Sequence, residues 1–411
     1  SKNPNMFLPN KWPTYFSKAK GCTIWDLNKK KYFDMSLMGV GTNILGYCNK
    51  EVDNAVKQAI NKSVVSSLNC VEEVYLAEKL ISLNDWADKV KFARTGGEAN
   101  ALAIRIARAA IKKEKVAFCG YHGWHDWYLA ANINDKKNLD SHLLPGLNPL
   151  GVLKKLKNTT YTFKYNDFND FKEKIESDNE IGIVKMEVAR TMEPKNNFLQ
   201  KIRSYTKKKN IILIFDECTT GFREYYGGLY QKYKVTPEIV IFGKAIGNGY
   251  PITAVLGKEA IMQKSTESFI SSTFWSDRIG PTAALETIDL MKKIKSWEII
   301  TNIGKNIKSR WKVLFKKYSI KAEVWGLNAI IGFNFNSHNN LIYKSYITQE
   351  LLNKNILGSN IVYISVTHTK KEIEKYFYEF EIILKKIKSF EKGEDIKKYI
   401  NNVSDKSFKR L

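Results

Sequence analysis

The sequence predicts an α/β chain, with a large domain built on a mostly parallel sheet and a smaller α+β unit to which both chain ends contribute. Three observations predict it. Short apolar runs at 90–93, 116–119, 181–186, 211–215 and 238–242 alternate with stretches of helical spacing, the pattern of strands covered by helices on both faces. These runs are nearly continuously apolar, so their strands should be buried on both sides. Beyond residue 300 the pattern changes, mixing helical stretches at 298–317 and 371–388 with strand-like runs at 329–335 and 361–365. The boundaries implied are 1–50 for a segment joining the small unit, 51–300 for the large domain and 301–411 for the rest of the small one. A chain of 411 residues with 44% hydrophobic content can bury cores of that size.

Taken in order, residues 21–27 and 31–35 alternate like strands around the turn Asn28-Lys29-Lys30, a hairpin. Helical spacing follows at 51–62 and 72–83, with Val52, Ala55, Val56, Ala59 and Ile60 on one face of the first. Thr95-Gly96-Gly97-Glu98 then joins a short strand to a helix carrying Ala99, Leu102, Ala103, Ile106 and Ala110. Two glycines at such a turn expose backbone N–H groups at the positive helix end, where a phosphate can sit. The glycine spacing is that of neither the dinucleotide fingerprint nor the P-loop.

Cys119-Gly120-Tyr121-His122-Gly123 follows the next strand, and glycines flanking Tyr121 leave room for a flat ligand against its ring. Residues 129–160 are dominated by Asn, Lys, Pro and Gly, the composition of a lid or binding loop. Glu187 closes the strand Ile183-Val184-Lys185-Met186. The run Ile211-Ile212-Leu213-Ile214-Phe215 ends in Asp216 and Glu217, which places a carboxylate at the crevice where a parallel sheet binds its ligand. Finally, in Gly243-Lys244-Ala245-Ile246-Gly247, a lysine sits among small residues after an apolar strand, the usual setting of a nucleophilic amine.

The net charge of +24 raises nucleic acid as a partner, but lysines are spread through almost every segment with no basic face interleaved with aromatics. No nucleic-acid partner is expected. Cysteines 22, 48, 70, 119 and 218 are scattered and odd in number, which points to reduced thiols in a cytoplasmic protein. Cys119, His122, His125 and Asp126 form the one compact cluster, too sparse for a zinc site, so no metal is expected. No apolar run approaches membrane-spanning length.

An acid for a ring nitrogen, an aromatic for a ring face, N–H groups for a phosphate and a lysine for an aldehyde together describe pyridoxal phosphate (PLP). With these residues in view, the sequence resembles the class III aminotransferases of fold type I, most of all their glutamate-1-semialdehyde aminomutase branch. The resemblance runs from Lys20-Gly21 to about Thr367-His368-Thr369, and rests on Thr-Gly-Gly-Glu-Ala-Asn at 95–100, Tyr-His-Gly at 121–123, Phe-Asp-Glu-Cys-Thr-Thr-Gly-Phe-Arg at 215–223 and Gly-Lys-Ala-Ile-Gly-Asn-Gly-Tyr-Pro at 243–251.

The resemblance implies that Lys244 forms the Schiff base, that Asp216 pairs with the pyridine nitrogen and that Tyr121 stacks on the ring. Gly96 and Gly97 would hold the phosphate, and Cys218 would lie against the other ring face; His122, Glu187 and Thr219 complete the implied contact set. Ser272 and Thr273 match a segment that reaches the phosphate of a neighbouring subunit, which implies a homodimer with shared sites.

Departures from the family pattern bear on the substrate. Thr219 stands where many members have Gln, Gly97 where Ser or Thr is usual, and Val188 where Pro follows the glutamate. No arginine precedes Arg94, whereas the aminomutases bind the substrate carboxylate with an upstream arginine. A truncated chain or a module of a longer protein is therefore expected, without true mutase activity, and Arg190 and Arg223 become the anion-binding candidates. The leading expectation is transfer of an amino group from a small-molecule donor to a small keto or keto-sugar acceptor. An intramolecular aminomutase or racemase, and a basic binding protein that keeps the fold, stay open as alternatives.

Overall fold

A computed structural model describes residues 3–142, 145–189, 191–400 and 402–404. The chain falls into two compact units, one running from Glu51 to Lys293 and the other combining the segment up to Lys50 with that from Ile294 onward.

The first unit is organised by a seven-stranded sheet. Its strands are β1 (Lys89–Ala93), β2 (Lys115–Cys119), β3 (Thr160–Thr162), β4 (Ile181–Glu187), β5 (Ile212–Glu217), β6 (Ile239–Phe242) and β7 (Thr253–Gly257). They lie in the order β1-β7-β6-β5-β4-β2-β3, with only β7 antiparallel to its neighbours. The continuous apolar runs are central strands: every residue of β4 and β5 is buried. Two strands escape the pattern reading. β3 has three residues, and β7 follows directly on the Gly-Tyr-Pro turn.

The helix α1 (Gly96–Ile111) packs across one face of the sheet, bringing Leu102, Ala103 and Ile106 against Phe118, Ile183, Ile214 and Ile241. Strand alternation therefore turns Ile212, Ile214 and Asp216 toward α1, and Leu213, Phe215 and Glu217 away from it. Cα partners across the parallel strands are Glu187 with Asp216 and Asp216 with Ile241, so functional side chains line up at the carboxyl end of the sheet. Of residues 129–160, those described contain single helical turns at Ala131–Asn134 and Lys154–Leu156 and the first residue of β3.

The second unit holds a four-stranded sheet in the order Phe16–Lys20, Thr23–Asp26, Lys31–Met35, Ile356–Gly358, and a three-stranded sheet in the order Ala322–Leu327, Ile330–Phe335, Ile361–Tyr363. The expected hairpin is present, with Thr23–Asp26 antiparallel to Lys31–Met35. The helices Ser296–Lys317 and Lys370–Glu391 are joined by a bidentate Arg310–Glu374 pair and by a core of Trp311, Phe315, Phe333 and Phe380. No helix among the described residues is long and apolar enough to cross a membrane.

Candidate active site

Asp216 ends the buried run of β5 and is itself 3% exposed. Its Oδ2 lies 2.8 Å from His122 Nδ1, and its Oδ1 accepts the Cys218 N–H at 3.0 Å. Burial opposes the charge of this carboxyl. The bond from His122, the positive charge of Lys185 and the Cys218 N–H outweigh that opposition and hold Asp216 well below the usual carboxylate range. The imidazole is anchored on its other side, with Nε2 3.1 Å from the Cys119 carbonyl. His122 thus couples the end of β2 to the end of β5.

Glu217, one residue on, is fully buried on the opposite face. It accepts from Thr220 Oγ1 at 2.6 Å and from the Tyr230 N–H at 2.7 Å, and burial pushes its carboxyl up to about 7. It takes no part in the Asp216 crevice.

Lys244 follows the last residues of β6 with a left-handed backbone (φ 43°), a conformation that costs a non-glycine residue about 1 kcal/mol or more. Its half-buried side chain donates from Nζ to Thr219 Oγ1 at 2.7 Å. Thr219 is held in turn, because Arg223 Nε donates to its carbonyl at 2.5 Å. Arg223, one of the two anion-binding candidates, is enclosed, only 1% exposed. The other candidate, Arg190, lies outside the described residues.

The turn before α1 is built by a reciprocal cap. Thr95 Oγ1 accepts the Glu98 N–H at 3.4 Å, and Glu98 Oε2 accepts the Thr95 N–H at 2.8 Å. This leaves the first-turn N–H groups of Gly96 and Gly97 at the positive end of a sixteen-residue helix. A side chain at Gly97 would crowd its neighbours, whereas one at Gly96 would make ordinary contact. A Cβ at Gly97 would come within 3.0 Å of the His125 ring, and one at Gly96 would lie 3.7 Å from Cys218 Sγ. Cys218 Sγ is also 3.2 Å from where a Cβ on Gly243 would stand, so this thiol sits between the α1 turn and the strand end that carries Lys244. Burial raises the thiol well above its ordinary value and keeps it neutral.

Tyr121 is half-buried; its N–H donates to Glu187 Oε2 at 3.1 Å, and its ring stands edge-on to Tyr128. Gly120 makes this approach possible, since its φ is +108° and a Cβ there would fall 2.6 Å from the Glu187 carboxylate. Ser272 and Thr273 are exposed, and among the described residues they make no hydrogen bond to the Gly96–Gly97 turn. Their segment is nevertheless tied to that turn: Arg94 is ion-paired to Asp277 and donates to the Trp275 carbonyl, and Trp275 Nε1 reaches Glu98. None of these three contacts was visible as a motif. A cavity of about 300 Å³ beside Gly120 and Glu187 is lined also by His142, Lys164 and Tyr165, but not by Asp216 or Lys244. Among the described residues no three metal-ligating side chains converge.

The class-III aminotransferase sequence model matches residues 9–384. The chain belongs to that family. Curated relatives of this class-III chain include the 3-aminobutyryl-CoA aminotransferase of Cloacimonas acidaminovorans, 30% identical over 90% of this chain and 89% of the relative. The glutamate-1-semialdehyde 2,1-aminomutase of Nitrosopumilus maritimus is 33% identical over 69% of this chain and 68% of its own. Among solved structures, the FumI protein of Sphingopyxis sp. MTA144, in its PLP internal aldimine form, superposes with a TM-score of 0.86 over 96% of this chain and 93% of that one, at 19% identity. An omega-transaminase from Sphaerobacter thermophilus gives 0.83 over 93% of each chain, at 21% identity. Both structures establish the transaminase fold.

Pyridoxal phosphate is the cofactor of this class-III aminotransferase, and the residues present fit it. The site offers an ionised carboxylate, an amine held by a hydroxyl, first-turn helix N–H groups and a cradle that a side chain at Gly97 would fill.

Proposed function

We propose that the chain transfers an amino group from a small-molecule amine to a small keto or keto-sugar acceptor, with Lys244 and Asp216 at the centre of the reaction. The observation that carries this reading is the convergence on Cys218: the ionised Asp216 accepts its backbone N–H, and the α1 turn and the Lys244 strand end lie against its thiol. When bound, pyridoxal phosphate supplies an aldehyde that condenses with amines and a ring that takes up the electron pair of a broken substrate C–H bond.

The protein's own groups divide the remaining work. Asp216 would accept the hydrogen bond of a protonated ring nitrogen, Gly96 and Gly97 would donate to the phosphate, and Tyr121 and the neutral Cys218 would confine the ring. Glu187 fixes the Tyr121 backbone, and His122 fixes Asp216. Thr219 orients the Lys244 amine, the group that would hold the cofactor aldehyde and, when free, would carry a proton from the substrate carbon to the cofactor carbon.

The functional unit is a homodimer in which Ser272 and Thr273 reach the phosphate site of a second copy. The exposed apolar residues Leu68, Phe269 and Phe274, with the exposed Trp124 next to His125, support a covered face there. Five free cysteines suit a reducing, cytoplasmic compartment. The aminomutase relatives are consistent with a second reading, in which both carbonyl and amine belong to one molecule.

The test is to bleach the visible absorbance of the reconstituted protein with a panel of amines and find which carbonyl compound restores it. Recovery that needs no external carbonyl would favour the aminomutase. The Lys244→Ala variant should leave no protein–cofactor imine to trap with borohydride, and trapping at another lysine would overturn the assignment. Sedimentation of a monomer at micromolar concentration would overturn the dimer.

A further inference from the structure

One buried charge next to this site has no place in the reaction. Lys185, in the middle of β4, is 0% exposed, and its Nζ has no hydrogen-bond partner among the described residues. Across the sheet it lies in a row between Phe118 of β2 and Ile214 of β5, with Ile239 of β6 next beyond; all three are fully buried. Any aliphatic side chain would suit that row, and an unpaired ammonium there is far costlier than the methylenes it replaces.

The geometry shows what faces it. Lys185 shares the α1 side of the sheet with Ile183, Ile214 and Asp216, and it stands one row deeper than the paired Glu187 and Asp216. The charged or titratable groups acting on it are Asp216, Cys218 and Glu187. From above, the inward residues of α1, among them Ala99, Asn100, Leu102 and Ala103, bring no charge. The Glu187 carboxylate is engaged by the Tyr121 N–H and Cys218 is neutral, so Asp216 is the anion that this ammonium answers.

We propose that Lys185 is a positioning residue of the cofactor site, a buried cation beneath Asp216 that fixes the charge of that carboxylate and sets how strongly the site holds protons on the bound cofactor. The inference rests on the PLP reading above. Lys185 acts in two ways. It keeps Asp216 ionised before any cofactor arrives, and it makes the potential at the ring more positive, so that bound groups release protons at lower pH. Burial lowers the ammonium itself to about 8 against the pull of Asp216, so its charge is present at neutral pH.

The test compares PLP-reconstituted wild type and Lys185→Met, following the pH at which the visible band of the bound cofactor changes. Methionine keeps the length and removes the charge. The midpoint should rise by on the order of one pH unit, a tenfold gain in proton affinity, and Lys185→Arg should return it toward wild type. A visible band with the same midpoint in wild type and Lys185→Met would overturn the role of Lys185. A wild-type protein that develops no visible band with PLP would overturn the cofactor reading instead. Should Lys185→Met not fold, NMR of 13C-labelled lysines in the full chain still decides. One lysine should titrate near pH 8, and Asp216→Asn should move it lower by about a unit; a lysine unmoved by that substitution would overturn the proposal.

Discussion

Replacing Glu217 by glutamine should stabilise the folded protein above neutral pH. The carboxyl is fully enclosed, and burial raises it from its ordinary 4.5 to about 7. Below about pH 4.5 the group is protonated in the folded and the unfolded chain alike. Between about 4.5 and about 7 the unfolded chain gives up its proton while the folded site keeps it, so stability falls as pH rises. Above about 7 both states are ionised and the loss is constant. A rise of this size at about 1.4 kcal/mol per unit makes the loss about 3 kcal/mol. Glutamine escapes it at modest cost, because its oxygen can still accept the Tyr230 N–H and its amide can donate to Thr220 Oγ1, a hydroxyl that either gives or takes a hydrogen bond. The assay is urea unfolding of wild type and Glu217→Gln at intervals from pH 5 to 8.5. All other ionisable groups are common to both proteins, so the stability difference should grow in favour of the variant up to about pH 7 and then level off. A difference that is the same at pH 5 and pH 8 would refute the reasoning.

Two further outcomes follow from single contacts. Thr219→Ala removes the only hydroxyl shown holding Lys244 Nζ, so kcat should fall about tenfold, the worth of one hydrogen bond of about 1.4 kcal/mol, while PLP absorbance is retained; loss of cofactor binding with kcat per bound cofactor unchanged would contradict the role. In the second unit, a Cβ on Gly304 would stand 1.7 Å from the Asn328 carbonyl oxygen, so Gly304→Ala must push backbone apart and should cost about 2–3 kcal/mol in urea unfolding.

The parts of this protein legible in its sequence are those written in consecutive residues. Continuous apolar runs identify β2, β4, β5 and β6, and the Gly-Gly turn marks the start of α1, because each of these depends on burial or backbone geometry within a few positions. The antiparallel β7 was not legible, since its place is decided by pairing with β1 and β6 across the sheet. The His122–Asp216 contact joins residues 94 positions apart, and no local spacing announces it. Lys185 is hidden for the opposite reason: inside Ile183-Val184-Lys185-Met186 it reads as a tolerated polar interruption, and only the sheet register reveals that it lies one row below Asp216. The enclosure of Arg223 was not legible either, because an arginine in a turn is ordinarily solvated, whereas here the turn folds back and encloses it beside Thr219.

The adjacent carboxylates at the end of β5 show how little burial alone decides. Asp216 and Glu217 are both fully enclosed, and burial raises both. They part because the strand turns them to opposite faces. Asp216 meets an imidazole and, one row below, an ammonium, and it ionises. Glu217 meets a hydroxyl and backbone N–H groups, which cannot return what its charge loses on leaving water. One residue of strand alternation is therefore enough to separate a carboxylate suited to hold a cationic ring nitrogen from a carboxyl that braces a loop. The same alternation selects Lys185 from its strand as the side chain able to act on the first and not on the second.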